Sequence, residues 1–210
     1  MTLRLLLFVA LLAPVVAAQD APLAVVTEAA GTVLEPLTSV SAETPFDVDA
    51  EGALVLHFAD GLRLRFGGAR GAVLTGTYEG ARYADRGVEI DSGLVRYAFP
   101  EAPSAPLIFR SEAATATAAT GTGGVVVDDA GLRLVVLSGE AELFAPDTGQ
   151  RLAVVAGQAG VIDAGGLSVR SSTLAERDLA AEPVERRRRL LVPGTDDEGN
   201  ARTFIIEWDE

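Results

Sequence analysis

The stretch Leu54-Val55-Leu56-His57-Phe58-Ala59-Asp60-Gly61-Leu62-Arg63-Leu64-Arg65-Phe66 decides the fold class. Successive side chains of a strand point to opposite faces, so Leu54, Leu56 and Phe58 share one side. Leu62, Leu64 and Phe66 do the same after Asp60-Gly61, a dipeptide suited to a tight turn. The two runs read as a β-hairpin with one apolar face. His57, the only histidine, falls on the opposite face with Val55 and Ala59.

The same grammar extends outward from about Leu23 to Ser171. Short apolar runs are cut by Gly, Asp-Gly or Pro every 8 to 12 residues or so, which is the all-β pattern. Further strands are expected at Val88–Ile90, Leu94–Phe99, Leu107–Arg110, Val125–Val127, Leu132–Leu137, Ala141–Phe144, Leu152–Val155 and Ala159–Ile162. Within Ala113 to Gly124, alternating Thr and Ala suits a strand with one small apolar face, and Gly121, Gly123 and Gly124 suit a tight bend. Two echoes recur. Ser92-Gly93 and Ser138-Gly139 each precede an alternating run that ends at Pro, at Pro100 and Pro146. Gly-Leu-Arg-Leu occurs at Gly61–Leu64 and Gly131–Leu134. Such echoes fit a layered, β-solenoid-like or β-sandwich architecture, in which each unit buries its face on the next.

The pattern changes after Ser172. Thr173 can cap a helix over Leu174 to Ala181, with Glu176 at the capping-box position. Pro183 interrupts it, and Val184 to Leu191 can add another helical turn or two. Asp196 to Asn200 reads as a polar turn, and Thr203 to Trp208 as a closing strand.

At the other end, Arg4 followed by the apolar run Leu5 to Val16 and the small residues Ala17-Ala18 reads as a signal peptide cleaved before Gln19. Leu5 to Ala18 is 14 residues, short of the ~20 a membrane-spanning helix needs. Three segments are therefore expected: a signal peptide at 1–18, a β domain at 19–172 and a helix-plus-strand appendage at 173–210. The 192 residues left after cleavage (210 minus 18) suffice for a real core. No transmembrane segment is expected in the mature chain, and the expected location is periplasmic or secreted.

Composition narrows the chemistry. Cysteine is absent, which removes disulfides, thiol catalysis and thiolate metal sites. The formal charge is −13, and loss of Arg4 with the signal peptide makes it −14. A field of that sign repels phosphate backbones and argues against a nucleic-acid partner.

The order of motifs resembles the FecR domain family. It runs from Gly31-Thr32-Val33 through Phe58-Ala59-Asp60-Gly61-Leu62-Arg63-Leu64 and Asp91-Ser92-Gly93-Leu94-Val95 to Ala116-Thr117-Ala118-Ala119-Thr120-Gly121-Thr122. Ser138-Gly139-Glu140-Ala141-Glu142-Leu143, leading to Val155-Ala156-Gly157-Gln158, completes it. The match covers roughly residues 25–165. It departs at Ala119-Thr120, where the family usually has Val-Arg, and at Gly123-Gly124, where an apolar aromatic usually follows Gly-Thr. The resemblance implies an exported β domain of the solenoid-like kind. It does not carry over the family's sigma-regulatory function.

No catalytic, cofactor or metal residues are expected. His57 lacks the partners of a triad or a histidine metal site. Asp147-Thr148-Gly149 copies the aspartic-protease tripeptide once, whereas that chemistry needs two carboxylates sharing a proton, so a β-turn is expected. Gly121-Thr122-Gly123-Gly124 lacks the lysine of a phosphate loop. Asp128-Asp129 and Asp196-Asp197-Glu198 lack the alternating spacing of a calcium loop and read as solvated turns. The possible partner-binding residues are Arg186, Arg187, Arg188 and Arg189, a basic cluster on an acidic chain. The sequence thus points to a non-enzymatic binding or scaffolding module whose partner is an envelope protein or glycan. Two alternatives are a carbohydrate-active or lectin-like β domain and a sensory partner of an outer-membrane receptor signalling system.

Overall fold

The computed structural model describes residues 22–79, 82–101, 103–112 and 114–181, and the backbone of 188–195 and 201–208. The signal-peptide reading of residues 1–18 lies outside the described residues. Among the described residues the fold is an all-β layered sandwich with one short helix. The first sheet, sheet A, contains β1 (Ala24–Ala30), β2 (Ser39–Val40), β4 (Ala53–Phe58), β5 (Arg63–Arg70), β8 (Ser92–Ala98), β11 (Thr122–Asp128), β12 (Gly131–Ser138), β15 (Gln158–Asp163) and β16 (Gly166–Ser171). Sheet B contains β3 (Pro45–Phe46), β6 (Ala72–Glu79), β7 (Arg82–Glu89), β9 (Leu107–Arg110), β10 (Thr115–Ala118), β13 (Glu140–Ala145) and β14 (Gln150–Val155).

The chain deals strands, mostly as pairs, to the two sheets in turn. Sheet A runs β2-β1-β4-β5-β8-β11-β12-β15-β16, and sheet B runs β3-β6-β7-β9-β10-β13-β14. From β4 on, each new strand in either sheet is added at the same growing edge, while β2 flanks β1 on the other side. Neighbours are antiparallel except β7 and β9, which pair in parallel because β8 between them belongs to the other sheet.

The β4–β5 hairpin forms in the expected register, with Leu54 opposite Phe66 and Leu56 opposite Leu64. All six inward residues, Leu54, Leu56, Phe58, Leu62, Leu64 and Phe66, are buried. Gly61 N–H donates to the Phe58 carbonyl and Phe58 N–H to the Leu62 carbonyl, with Gly61 at φ 89°. This is the three-residue loop that ends in a left-handed residue, a natural match to strand twist. Between the sheets, the ring of Phe66 meets that of Phe46 at 5.1 Å, and Tyr97 meets Phe109 at 5.7 Å. Each fully buried Leu or Phe contributes roughly 1.5–3 kcal/mol.

Both sequence echoes have structural causes. Ser92-Gly93 and Ser138-Gly139 stand where the chain crosses between sheets, and the two Gly-Leu-Arg-Leu runs open the second strand of a hairpin. The corner at Gly139 packs against another at Gly121; both have φ 79°. A side chain on Gly121 would strike the Ser138 carbonyl, and one on Gly139 would strike Thr120. Thr122 and Ser138 hydroxyls bond at 2.9 Å across the pair of corners.

Gly123 and Gly124 correct the expected bend: only Gly121 turns the chain, and the other two lie inside β11. A Cβ on Gly123 would lie 2.6 Å from the Tyr97 hydroxyl, and one on Gly124 3.1 Å from Ala180 Cα. Their smallness admits a tyrosine on one face and a helix on the other.

The helix is α1 (Leu174–Ala180), with the Thr173–Glu176 capping box in place. Beyond it, the helical turns expected over Val184 to Leu191 give way to strand from Arg188 onward. β17 (Arg188–Thr195) pairs with β18 (Ala201–Trp208) as a separate two-stranded sheet. Pro193 is compatible with this because each strand of a two-stranded ribbon has one unpaired edge. The polar turn expected at Asp196 to Asn200 lies outside the described residues.

Candidate interaction surface

The turns at one end of the sandwich gather a cleft of about 540 Å³. Six carboxylates line it: Asp91, Glu112, Asp128, Asp129, Asp147 and Asp163. They come from five separate connections, β7–β8, β9–β10, β11–β12, β13–β14 and β15–β16. All six side chains are exposed. Asp128 accepts the Ala130 N–H at 2.9 Å, and Asp163 accepts the Gly165 N–H at 2.7 Å, so local turns fix both carboxylates. The cleft lining contains no aromatic side chain. Among the described residues no group of three or more His, Asp or Glu is arranged to hold a metal ion. The arrangement offers concentrated negative potential to a cationic partner.

The opposite end treats charge differently. Arg86, on β7, is 1% exposed. Its Nη1 donates to both oxygens of Asp60 at 2.7 Å, and its Nη2 donates to the Ala105 carbonyl at 2.6 Å. Asp60 also accepts from the Ser104 hydroxyl at 2.8 Å and the Ser104 N–H at 3.1 Å. The guanidinium lies 5.1 to 5.7 Å from the rings of Tyr83, Phe99 and Phe58. Burial alone would raise the Asp60 carboxyl, but hydrogen bonds from Arg86 and Ser104 outweigh it and hold it below the ordinary aspartate range. Burial pushes the Tyr83 hydroxyl up; that group donates to the Leu23 carbonyl and accepts the Ala59 N–H. The turn of the β4–β5 hairpin is thereby tied to the other sheet and to the loop before β9.

A third polar cluster fixes α1 on the outer face of sheet A. Glu176 accepts from Arg170 at 2.6 and 2.9 Å and from the Thr173 N–H at 2.9 Å. These bonds, the Arg170 pair foremost, hold its carboxyl at about 2. Ala180 packs with Val135 and Ala159, and Arg96 Nε donates to the Leu179 carbonyl at 2.7 Å.

The residues singled out in the sequence fall as follows. His57 is exposed on the outer face of sheet A. Asp147-Thr148-Gly149 forms the β13–β14 turn, with Gly149 N–H bonded to the Ala145 carbonyl. Asp128-Asp129 forms the β11–β12 turn, and with Asp147 joins the cleft. Arg186, Arg187 and Asp196-Asp197-Glu198 lie outside the described residues; Arg188 and Arg189 begin β17, where only backbone is described. The Arg86–Asp60 node was not foreseen, because nothing near Arg86 in sequence distinguishes it from a surface arginine.

No family model matches the chain, and no curated protein matches it. Two crystal structures of a putative anti-sigma factor from Parabacteroides distasonis are similar in fold. One is 17% identical with a TM-score of 0.50, the other 15% identical with a TM-score of 0.49; each comparison covers 61% of this chain. The chain spans 60% of the length of those structures.

Proposed function

We propose that this protein is an exported FecR-like module of the bacterial cell envelope that binds a partner instead of transforming a substrate. The observation that carries the reading is the layered two-sheet fold, similar at TM-score 0.50 to the Parabacteroides distasonis structure. The ordered motifs of the sequence and the signal-peptide reading of residues 1–18 agree with it. The acidic cleft is the contact surface, and a protein presenting lysine or arginine is the partner it suits. The absence of aromatic side chains from the cleft lining disfavours the glycan reading, since sugar sites use aromatic faces as platforms.

The test is capture from envelope fractions by the mature protein and by a variant with Asp91, Asp128, Asp129 and Asp163 changed to Asn. A partner held by the first and lost by the second supports the reading. Equal capture by both removes the cleft from it. A second reading, a sensory role in receptor signalling, draws on the description of the similar structure as a putative anti-sigma factor. A sigma factor and an outer-membrane receptor encoded next door would favour it.

A further inference from the structure

One cross-strand row on the outer face of sheet A is covered over part of its length. Ala159, Val135 and Gly124 are successive partners across β15, β12 and β11, and α1 lies on them. The same row continues through Arg96, Arg65 and Val55 to Glu28. The helix ends at the point where the cover stops, with Leu179 bonded to Arg96. Farther along, Val55 points away from the core side of β4 yet is 1% exposed. The Arg65–Glu28 pair at 3.1 Å flanks it, and Arg63 and His57 stand opposite each other in the next row.

The chain after α1 fits this surface. A two-stranded hairpin alone is marginally stable in water and needs another layer. β17–β18 sets Leu190 opposite Ile206, Leu191 opposite Ile205 and Val192 opposite Phe204, so neither of its faces is wholly polar in sequence. The residues from 182 onward include eight acids and five arginines, a net charge of −3, set against a face bearing Arg63, Arg65 and Arg96. We propose that the hairpin β17–β18 of this chain seats on the outer face of sheet A from β8 to β1, continuing the α1 interface as a third layer. The cover is intramolecular, and it leaves the acidic cleft free. The inference goes beyond the proposed function and stands or falls apart from it.

The absence of native cysteine makes the test direct. The mature full-length chain carrying His57→Cys is labelled with a benzophenone maleimide and irradiated. Cross-links into residues 188–208 in a species of monomer mass are expected. Adding Arg63→Glu should lower their yield about fivefold, the scale of one surface charge pair. Tail cross-links found only in two-chain species, or none in a chain that keeps its β circular dichroism, would overturn the proposal. A second measurement needs no substitution, because Trp208 is the single tryptophan and stands opposite Arg188 in the hairpin register. Acrylamide quenching well below that of free indole is expected; quenching equal to it would equally overturn the proposal.

Discussion

At one end of the sandwich, Arg86 is withdrawn from water and bonded to the half-buried Asp60 and to Ala105, and Asp60 is bonded in turn to Ser104. At the other end, six carboxylates of one sign stand around a cleft, each open to solvent. The buried pair is complete in itself: oxygens and guanidinium nitrogens face protein groups, with only Arg86 Nε lacking a partner among the described residues. Such a pair fixes geometry. The carboxylates repel one another and stay together only because turns of both sheets end at the same place. Charges that the fold crowds without neutralising have capacity left for an outside partner. The contrast separates charge that holds the fold from charge that, on the proposed function, meets a partner.

Experiments that change either end break or sharpen this contrast. The largest effect is expected from Arg86→Met, which strands the Asp60 carboxylate. Loss of one partner of a buried pair costs about 3–5 kcal/mol, measurable by urea unfolding. Should that variant unfold like the parent, the node is not structural. Next comes Gly123→Val, which drives a side chain into the Tyr97 hydroxyl and the Val135 carbonyl; overpacking there should cost about 1–3 kcal/mol by the same assay.

Glu176→Gln should cost about 1 kcal/mol, because the amide keeps part of the cap but loses the ion pair with Arg170. The pH dependence follows from the sign of the shift. The folded state holds the Glu176 carboxyl at about 2, below its ordinary 4.5, so its contribution is complete above about 4.5. It declines as pH falls from there toward about 2, and Asp60, also lowered, adds a loss of the same sign. An acid titration of parent and Glu176→Gln should therefore converge at the low end. The smallest stability effect belongs to the cleft: Asp128→Asn with Asp163→Asn should change stability by no more than about 0.5 kcal/mol, and upward. A large loss there would give the cleft a structural role and erase the contrast.

Local alternation made much of the fold legible. Leu54 to Phe66 carries its own face, turn and register, and Thr173 with Glu176 carries its own cap. β6 and most of β7 escaped notice because Gly76 interrupts the first and Arg82, Asp85 and Arg86 give the second the look of a loop. In a strand whose arginine is neutralised by a residue 26 positions away, no window of sequence shows why the charge is tolerated. The β17 strand was misread as helix because consecutive arginines and leucines favour helix locally, whereas its partner lies in Ala201–Trp208. The cleft was legible only in fragments. Asp128-Asp129 and Asp147 were each visible as turns, but that five turns end together follows from the order of strands in both sheets.

That order also governs how the molecule can be made. From β4 onward, both sheets grow in the same direction and in chain order, ending at β14 and β16. A chain delivered amino terminus first can complete each layer on the one before, with no early strand waiting open for a late one. Its apolar faces are covered as fast as they arrive, which limits the exposed edges that promote aggregation during slow emergence. Assembly is then a matter of succession, and the front that remains when synthesis stops is the β14–β16 end.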